Sequence, residues 1–294
     1  MINMKKILIT GGSGLIGRNL IDLLKNEDIV YTLTRKSHPE LSNRARTIHC
    51  DLSEGFTTDA FPSEVDAIVH LAQSDFFRDF PEKVEDVFNV NTFTTLKLLD
   101  YARKAGAKTF VYASSGGIYG YSDEGFCEDH PIVAKKDLGF YLGTKLCSEI
   151  IAENYTPYMN IIILRFFFVY GPYQKPNMLI PRLISSVKEG KPITLQGKDG
   201  IRINPTYVTD AAIAIRQSLN LIDSQKINVG GSDVLTLREI GEKIGRYVGK
   251  EPVFEIQKDI PPRNIIGDTK KMHQLLWKPA VSFDEGIKNT IRSG

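Results

Sequence analysis

Tyr141 and Lys145, four residues apart in Tyr141-Leu142-Gly143-Thr144-Lys145, are spaced to move a proton. On a helix such positions share a face, so the ammonium can lie beside the phenol. A free phenol titrates near ~10 and is a poor base at neutral pH; a nearby cation favours the phenolate and lowers that value. Upstream, Ser114 and Ser115 close an apolar run. Nearer the start, Gly11, Gly14 and Gly17 stand three apart, directly after another apolar run. Gly11 would allow a tight turn, Gly14 the approach of backbone to a pyrophosphate, and Gly17 close packing of a helix on a sheet. Leu15 and Ile16 would open that helix, whose positive end faces the phosphate charge. A glycine-rich turn with no ligand is the plainer alternative.

These residues need elements to hold them. Short apolar runs at 6–10, 29–34, 47–50, 67–72, 109–114 and 160–169 read as strands. Several are nearly continuous, as expected for strands covered on both faces. Helical patterns fall at 15–25, 84–105 and 143–154. In the second, Val84, Val87, Phe88, Phe93, Leu96, Leu99 and Ala102 approximate one apolar stripe, with Gly106 placed to cap its end. This alternation predicts an α/β fold, a Rossmann-type doubly wound parallel sheet. After Gly171 prolines punctuate shorter segments, helices recur at 177–189, 209–221 and 237–249, and 226–230 reads as one more core strand. The expected division is a dinucleotide-binding domain of 1–170 plus about 201–235. A smaller C-terminal substrate-binding lobe would comprise about 171–200 plus 236–294.

Composition narrows the class. The 294 residues are 42% hydrophobic and 24% charged, enough for a sizeable core without metal or disulfide staples. Lys+Arg 37 against Asp+Glu 35 leaves +2, with no long basic run to imply nucleic acid. The longest strongly apolar stretch, 161–170, is interrupted by Arg165 and far short of a membrane span. Cys50, Cys127 and Cys147 lie far apart and suggest neither a disulfide framework nor a metal site. The expectation is a cytoplasmic enzyme with no metal.

The glycine spacing with its strand–turn–helix setting, together with Tyr141-x-x-x-Lys145, resembles the extended branch of the short-chain dehydrogenase/reductases, the NAD(P)-dependent nucleotide-sugar epimerases and dehydratases. Val111-Tyr112-Ala113-Ser114-Ser115-Gly116-Gly117-Ile118-Tyr119-Gly120 is similar to the family's Ser-Ser/Thr-x-x-Val-Tyr-Gly segment. The resemblance implies that Ser115, rather than Ser114, completes a catalytic triad with Tyr141 and Lys145. Ser115 and Gly116 would then meet the sugar; two serines capping a strand end is the bland alternative. His70-Leu71-Ala72-Gln73 resembles the His-Leu-Ala-Ala strand end that lines the cofactor, with Gln73 as a departure. Asp51-Leu52 matches a pair whose carboxylate contacts adenine, and Asn91 a structural asparagine within a helix. Residues 164–172 resemble Leu-Arg-Tyr-Phe-Asn-Val-Tyr-Gly-Pro, with Phe168 where the family has an asparagine that contacts the substrate diphosphate. The resemblance also implies diphosphate contacts from Asn177, Arg202 and Arg263, although the Arg202 spacing is one residue long. Either arginine could instead be a surface ion-pair partner.

For the cofactor, an acid at the end of the second strand would receive the ribose hydroxyls of NAD. Here Thr34 stands in that place and Arg35 follows, a guanidinium that could clamp a 2′-phosphate. NADP(H) is therefore slightly preferred over NAD(H), the alternative being a solvated basic turn. Related dehydratases and decarboxylases carry a carboxyl after the catalytic hydroxyl, which here becomes Gly116-Gly117. That disfavours elimination and leaves chemistry needing only the triad. Epimerisation of a nucleotide sugar, at C4, leads. An NADPH-dependent 4-ketoreductase, a reductase of an unrelated carbonyl and a non-catalytic NADP(H)-sensing regulator are the alternatives. Cys127 and His130, in the variable loop, read as bystanders. The resemblance further implies a homodimer formed through the Tyr141 helix and the helix before it.

Overall fold

The computed structural model describes residues 4–132 and 138–293. Its chain forms two compact units. The first comprises the described residues of Met1–Ile118, Ile132–Arg165 and Ala212–Ile227, and the second those of Tyr119–Pro131, Phe166–Ala211 and Asn228–Gly294.

In chain order the first unit contains β1 (Lys6–Thr10), α1 (Leu15–Leu24), β2 (Ile29–Thr34), α2 (Pro39–Ser42), β3 (Arg46–His49) and β4 (Ala67–His70). It continues with α3 (Val84–Phe88), α4 (Thr94–Lys104), β5 (Thr109–Ser115), α5 (Gly139–Glu153) and β6 (Asn160–Phe166). Four pairings, β3 with β2, β2 with β1, β1 with β4 and β4 with β5, run parallel. Ile7, Leu8, Ile9, Ile68, Val69, Phe110 and Val111 are fully buried, the signature of strands covered on both faces. Helix α1 turns Gly17, Leu20, Ile21 and Leu24 inward at helical spacing.

Beyond β6 the chain forms β7 (Val169–Tyr170), α6 (Leu179–Glu189), β8 (Ile193–Gln196), β9 (Arg202–Ile203) and β10 (Thr206–Tyr207). Helix α7 (Val208–Ser218) and β11 (Gln225–Val229) lead back to the large sheet, whose order is β11-β6-β5-β4-β1-β2-β3. The chain starts at β1, winds out through β2 and β3, then returns to the other side of β1 with β4. That reversal is the topological switch point at which such sheets bind dinucleotides. The chain ends with β12 (Leu235–Thr236), α8 (Leu237–Val248), β13 (Phe254–Gln257), α9 (Lys270–Leu275) and α10 (Phe283–Arg292). In the second unit β8 and β13 pair in parallel, β9 and β12 antiparallel, and α6 packs on α8. Helix α8 starts with a reciprocal cap between Thr236 and Glu239 and stops at Gly249, whose φ of +74° suits glycine.

Differences from the sequence reading have local causes. The compact units exchange chain where the predicted domains did not: Tyr119–Pro131 goes with the second unit, and the return to the first is Ala212–Ile227 rather than 201–235. Residues 1–3 and 294, at the ends of the predicted ranges, lie outside the described residues. The predicted strand 160–169 breaks into β6 and β7 because Phe168 adopts φ +44°, incompatible with an extended run. The predicted helix 84–105 is α3 and α4 joined by a widened π turn, Asn89–Phe93. Its apolar stripe divides: Val87, Leu99 and Ala102 are buried, whereas Phe88, Phe93 and Leu96 are exposed. Helix α5 begins one turn before the predicted 143, which puts Tyr141 on it. The C-terminal α9 and α10 carry no counterpart in the sequence reading.

Candidate active site

The glycine loop joins β1 to α1, and Gly14 caps the helix without any side-chain hydrogen bond. Gly11 has φ +71°, and a Cβ there would lie 2.8 Å from the Ala72 nitrogen and 2.9 Å from the Leu71 carbonyl carbon. A Cβ on Gly17 would meet the Gly11 oxygen at 2.3 Å, and one on Gly12 the Thr32 hydroxyl at 2.1 Å. The Gly14 N–H donates to the Gly11 carbonyl at 2.9 Å. Thus the loop after β1 and Leu71–Ala72 after β4 lie against each other, and bare backbone lines the carboxyl ends of both strands. Such a cradle suits a pyrophosphate: the positive end of the helix dipole faces it, and the glycines keep the backbone close. Leu15 and Ile16 form the first turn of α1.

Beneath the cradle His70 is buried between the hydroxyls of Thr10, 2.7 Å from Nδ1, and Thr95, 3.1 Å from Nε2. Burial, and the charge of Lys145, push its pKa down to about 3, so the ring is neutral. His70 is a packing residue, as the apolar strand around it suggests.

Tyr141 and Lys145 share a face of α5. The Tyr141 hydroxyl donates to Gln73 Oε1 at 3.0 Å, and its ring stands 5.0 Å from Phe77. Lys145 Nζ donates to the Ala113 carbonyl at 2.9 Å, two residues before Ser115 on β5, and lies 5.1 Å from the Tyr112 ring. Structure therefore brings the ends of β4 and β5 to one helix face. Ser115 Oγ accepts from the Gly117 N–H at 3.2 Å. Gly116 is buried in the short 3-10 turn Gly116–Tyr119 that follows β5.

The electrostatics depart from the simple expectation for the pair. Burial raises the Tyr141 phenol above its ordinary value, and the cation acting against this is Arg78. Burial also lowers Lys145 to about 8, with Glu149 opposing. Glu149 lies one turn after Lys145 on α5 and is 1% exposed. Its carboxylate accepts from Ser114 Oγ at 2.5 Å, and from Arg165 Nε and a terminal nitrogen at 3.1 and 2.7 Å. A buried bidentate pair thus clamps α5 to β5 and β6, and explains Ser114 as a structural hydroxyl. A second clamp is Asn91 in the π turn. Its Oδ1 accepts from the Ser74 N–H at 3.0 Å, its Nδ2 donates to Thr144 at 3.0 Å, and its carbonyl accepts from Thr95 and Ser148. Widening of the turn opens that carbonyl to hydroxyl donors, a common use of π segments near functional sites.

At the far end of the sheet Thr34 is buried and Arg35 exposed. A terminal nitrogen of Arg35 donates to Asp75 Oδ2 at 3.1 Å, so the expected phosphate clamp is already engaged with an acid. Asp51 accepts from the Ser53 N–H and hydroxyl at 2.9 and 2.7 Å. Partial burial works to raise its carboxyl, but the Ser53 bonds and the Arg35 charge outweigh this and hold it below the ordinary value. Leu52 is buried, and its carbonyl accepts from Thr94 at 3.2 Å.

In the second unit, a terminal nitrogen of Arg202 donates to the Asp123 carbonyl at 2.6 Å, and the Arg263 guanidinium sits 5.2 Å from the Tyr121 ring centre. The two arginines therefore flank one short loop. Buried Asn264 ties them together: Oδ1 accepts from the Arg202 N–H at 2.7 Å, and Nδ2 donates to Asp123 at 2.6 Å. Asn177 is exposed, just before α6. In the same unit, the Cys127 carbonyl accepts from the His130 N–H at 3.1 Å, and His130 stands edge-on to Phe126 at 4.8 Å. Sequence reasoning missed Asp75, Glu149 and Asn264. Only Glu149 left a signal, its position one turn after Lys145.

Residues 7–230 match the NAD dependent epimerase/dehydratase family. This chain belongs to that family. It is 28% identical, over 309 aligned positions covering 97% of it and 94% of the relative, to a UDP-glucuronate 4-epimerase of Thermodesulfobacterium geofontis. A dTDP-D-glucose 4,6-dehydratase of Mus musculus is 27% identical, covering 98% and 88% of the two chains. Among solved structures, the Bacillus cereus UDP-glucuronic acid 4-epimerase in complex with UDP-glucuronic acid and NAD superimposes with a TM-score of 0.86 at 26% identity, covering 98% of each chain. The family member thus has the Rossmann-like sheet expected of it. Among the described residues no helix is long and apolar enough to cross a membrane, and no group of side chains is arranged to hold a metal ion.

Proposed function

We propose that the chain is a nucleotide-sugar 4-epimerase using NAD(H). The observation that carries this is the convergence on one face of α5: Tyr141 reaches Gln73 at the end of β4, and Lys145 reaches Ala113 beside Ser115, next to a cradle that fits a pyrophosphate. Support for the substrate and for NAD over NADP comes from relatives such as the Bacillus cereus enzyme, seen with UDP-glucuronic acid and NAD.

Gly11, Gly14, Leu15, Ile16 and Gly17 would hold the pyrophosphate, Asp51 and Leu52 the adenine end, and Leu71, Ala72 and Gln73 the wall toward the reacting ring. When bound in its oxidised form, the dinucleotide supplies the hydride acceptor, later the donor, and a positive charge. Ser115 would orient the sugar C4 oxygen by hydrogen bonding, with Gly116 leaving room beside it. Tyr141 takes the hydroxyl proton and returns it to the other epimer. Burial holds the phenol in its protonated form, so taking the hydroxyl proton calls for nearby positive charge, which Arg78 supplies here and the oxidised nicotinamide would add. Arg202, Arg263 and Asn177 would meet the substrate diphosphate, two guanidiniums matching its charge.

Gly117 favours epimerisation over dehydration. Dehydratases carry an eliminating carboxyl at this position and a glycine supplies none; a Cβ there would sit 3.1 Å from Leu142 and 3.4 Å from Ser115 Oγ, a tight fit that Leu142 would have to yield to. The test is incubation with UDP-glucuronate, UDP-glucose and UDP-N-acetylglucosamine, read by NMR of the sugar ring. Interconversion of a C4 pair without added reductant is expected; a 4-keto-6-deoxy product, or consumption of stoichiometric NADPH, would overturn the reading. Light scattering of the purified protein would test the proposed homodimer, for which exposed Phe88, Phe93 and Leu96 are a suitable surface.

A further inference from the structure

Arg35 follows β2 and Asp75 follows β4, and in the sheet order β1 lies between those strands. Their ion pair, at 3.1 Å, therefore bridges the carboxyl end of β1, where the glycine loop begins. Both side chains are about half exposed, at 48% and 45%, so a ligand can reach them. On the other flank Asp51, after β3, lies close enough for the Arg35 charge to act on its carboxyl. One guanidinium thus faces two carboxylates. A phosphate ester brought to Arg35 must displace the Asp75 carboxylate and then lie beside it. An unsubstituted ribose diol instead meets hydrogen-bond acceptors and gives up no ion pair.

We infer that Asp75 is the residue that sets coenzyme choice here, holding Arg35 so that the site takes the dinucleotide without a 2′-phosphate. The acid that selects NAD is absent from the end of β2, where Thr34 stands, and is supplied instead from the loop after β4. Repulsion between a phosphate dianion and a carboxylate about 6 Å away in a water-like medium amounts to roughly tenfold in affinity, before any loss of the ion pair. This rests on the glycine loop holding a nicotinamide dinucleotide.

The test is titration of the nucleotide-free protein with NADH and with NADPH, followed by nicotinamide fluorescence. The chains compared are wild type, Asp75→Asn, Arg35→Ala and the double variant. Wild type is expected to bind NADH at least about tenfold tighter than NADPH. Asp75→Asn should narrow that ratio by about tenfold, and adding Arg35→Ala should reverse only the part of that change that comes from the freed guanidinium, leaving the ratio below that of wild type because the repelling carboxylate is gone. An unchanged ratio in Asp75→Asn, or a wild type that prefers NADPH, would overturn the inference while leaving the dinucleotide site standing. Binding of neither nucleotide to wild type would overturn the site reading itself, and the inference with it.

Discussion

The α5 face of the first unit and the arginine loop of the second hold their functional groups in opposite ways. Lys145, Glu149 and Arg165 are all nearly fully buried, on a long helix and a core strand, and every one is hydrogen-bonded. Arg202 and Arg263 are partly or fully exposed, carried by a two-residue strand and a loop. The first arrangement fixes atoms in place, which proton transfer requires. The second leaves two guanidiniums on exposed, adjustable side chains, as the proposed contact with a substrate diphosphate would use. Changes at the buried face should therefore cost stability and turnover together, whereas changes at the loop should alter binding alone.

The sharpest way to break this contrast is Tyr141→Phe, expected to lower kcat by about a thousandfold or more while NADH affinity stays within about threefold. Comparable turnover in that variant would remove the proposed proton carrier. Glu149→Ala leaves the Arg165 guanidinium buried without its carboxylate and should cost about 3–5 kcal/mol in urea unfolding. A loss under about 1 kcal/mol would mean the clamp is dispensable. The pH dependence of stability sharpens the same point. Lys145 titrates near 8 when folded against 10.5 in its unperturbed state, so between those values the unfolded chain binds more protons. Its unfavourable contribution is full below about pH 8 and is relieved as pH rises above it. The unfolding free energy of wild type should thus gain relative to Lys145→Met between about pH 8 and 10, by on the order of 1–3 kcal/mol. Parallel curves would place the ammonium in contact with water.

On the second unit, Arg202→Ala should raise KM for the nucleotide sugar about tenfold, roughly 1.4 kcal/mol, with kcat nearly unchanged. A matching fall in kcat would tie this loop to the chemistry. The smallest effect is expected at Phe168, which pays for φ +44° while its neighbour Phe167 is 1% exposed. Phe168→Asn should leave the unfolding midpoint unchanged or raise stability by about 1 kcal/mol, because asparagine tolerates that backbone.

Legibility followed the range of the forces involved. The strand–loop–helix around Gly11, Gly14 and Gly17 was readable because backbone clearance is a local requirement. Tyr141 and Lys145 were readable because a helix repeats within one turn. The break at Phe168 was not, since nothing in an apolar run announces a positive φ. Nor was the division of the 84–105 stripe, whose phenylalanines look alike in sequence whichever side they face.

Arg35 shows where sequence reading stopped. Its charge and its place after a strand were plain, and suggested a free guanidinium ready for phosphate. Its partner Asp75 lies forty residues on, in another loop, and the two meet only because β4 returns beside β1. Local spacing by itself determined the fold class, the glycine cradle and the tyrosine–lysine helix, since each depends on neighbours within one or two turns. Only the tertiary structure decided which charges face one another and how far burial shifts them. Those quantities depend on distance and solvent access between segments that sequence order keeps apart.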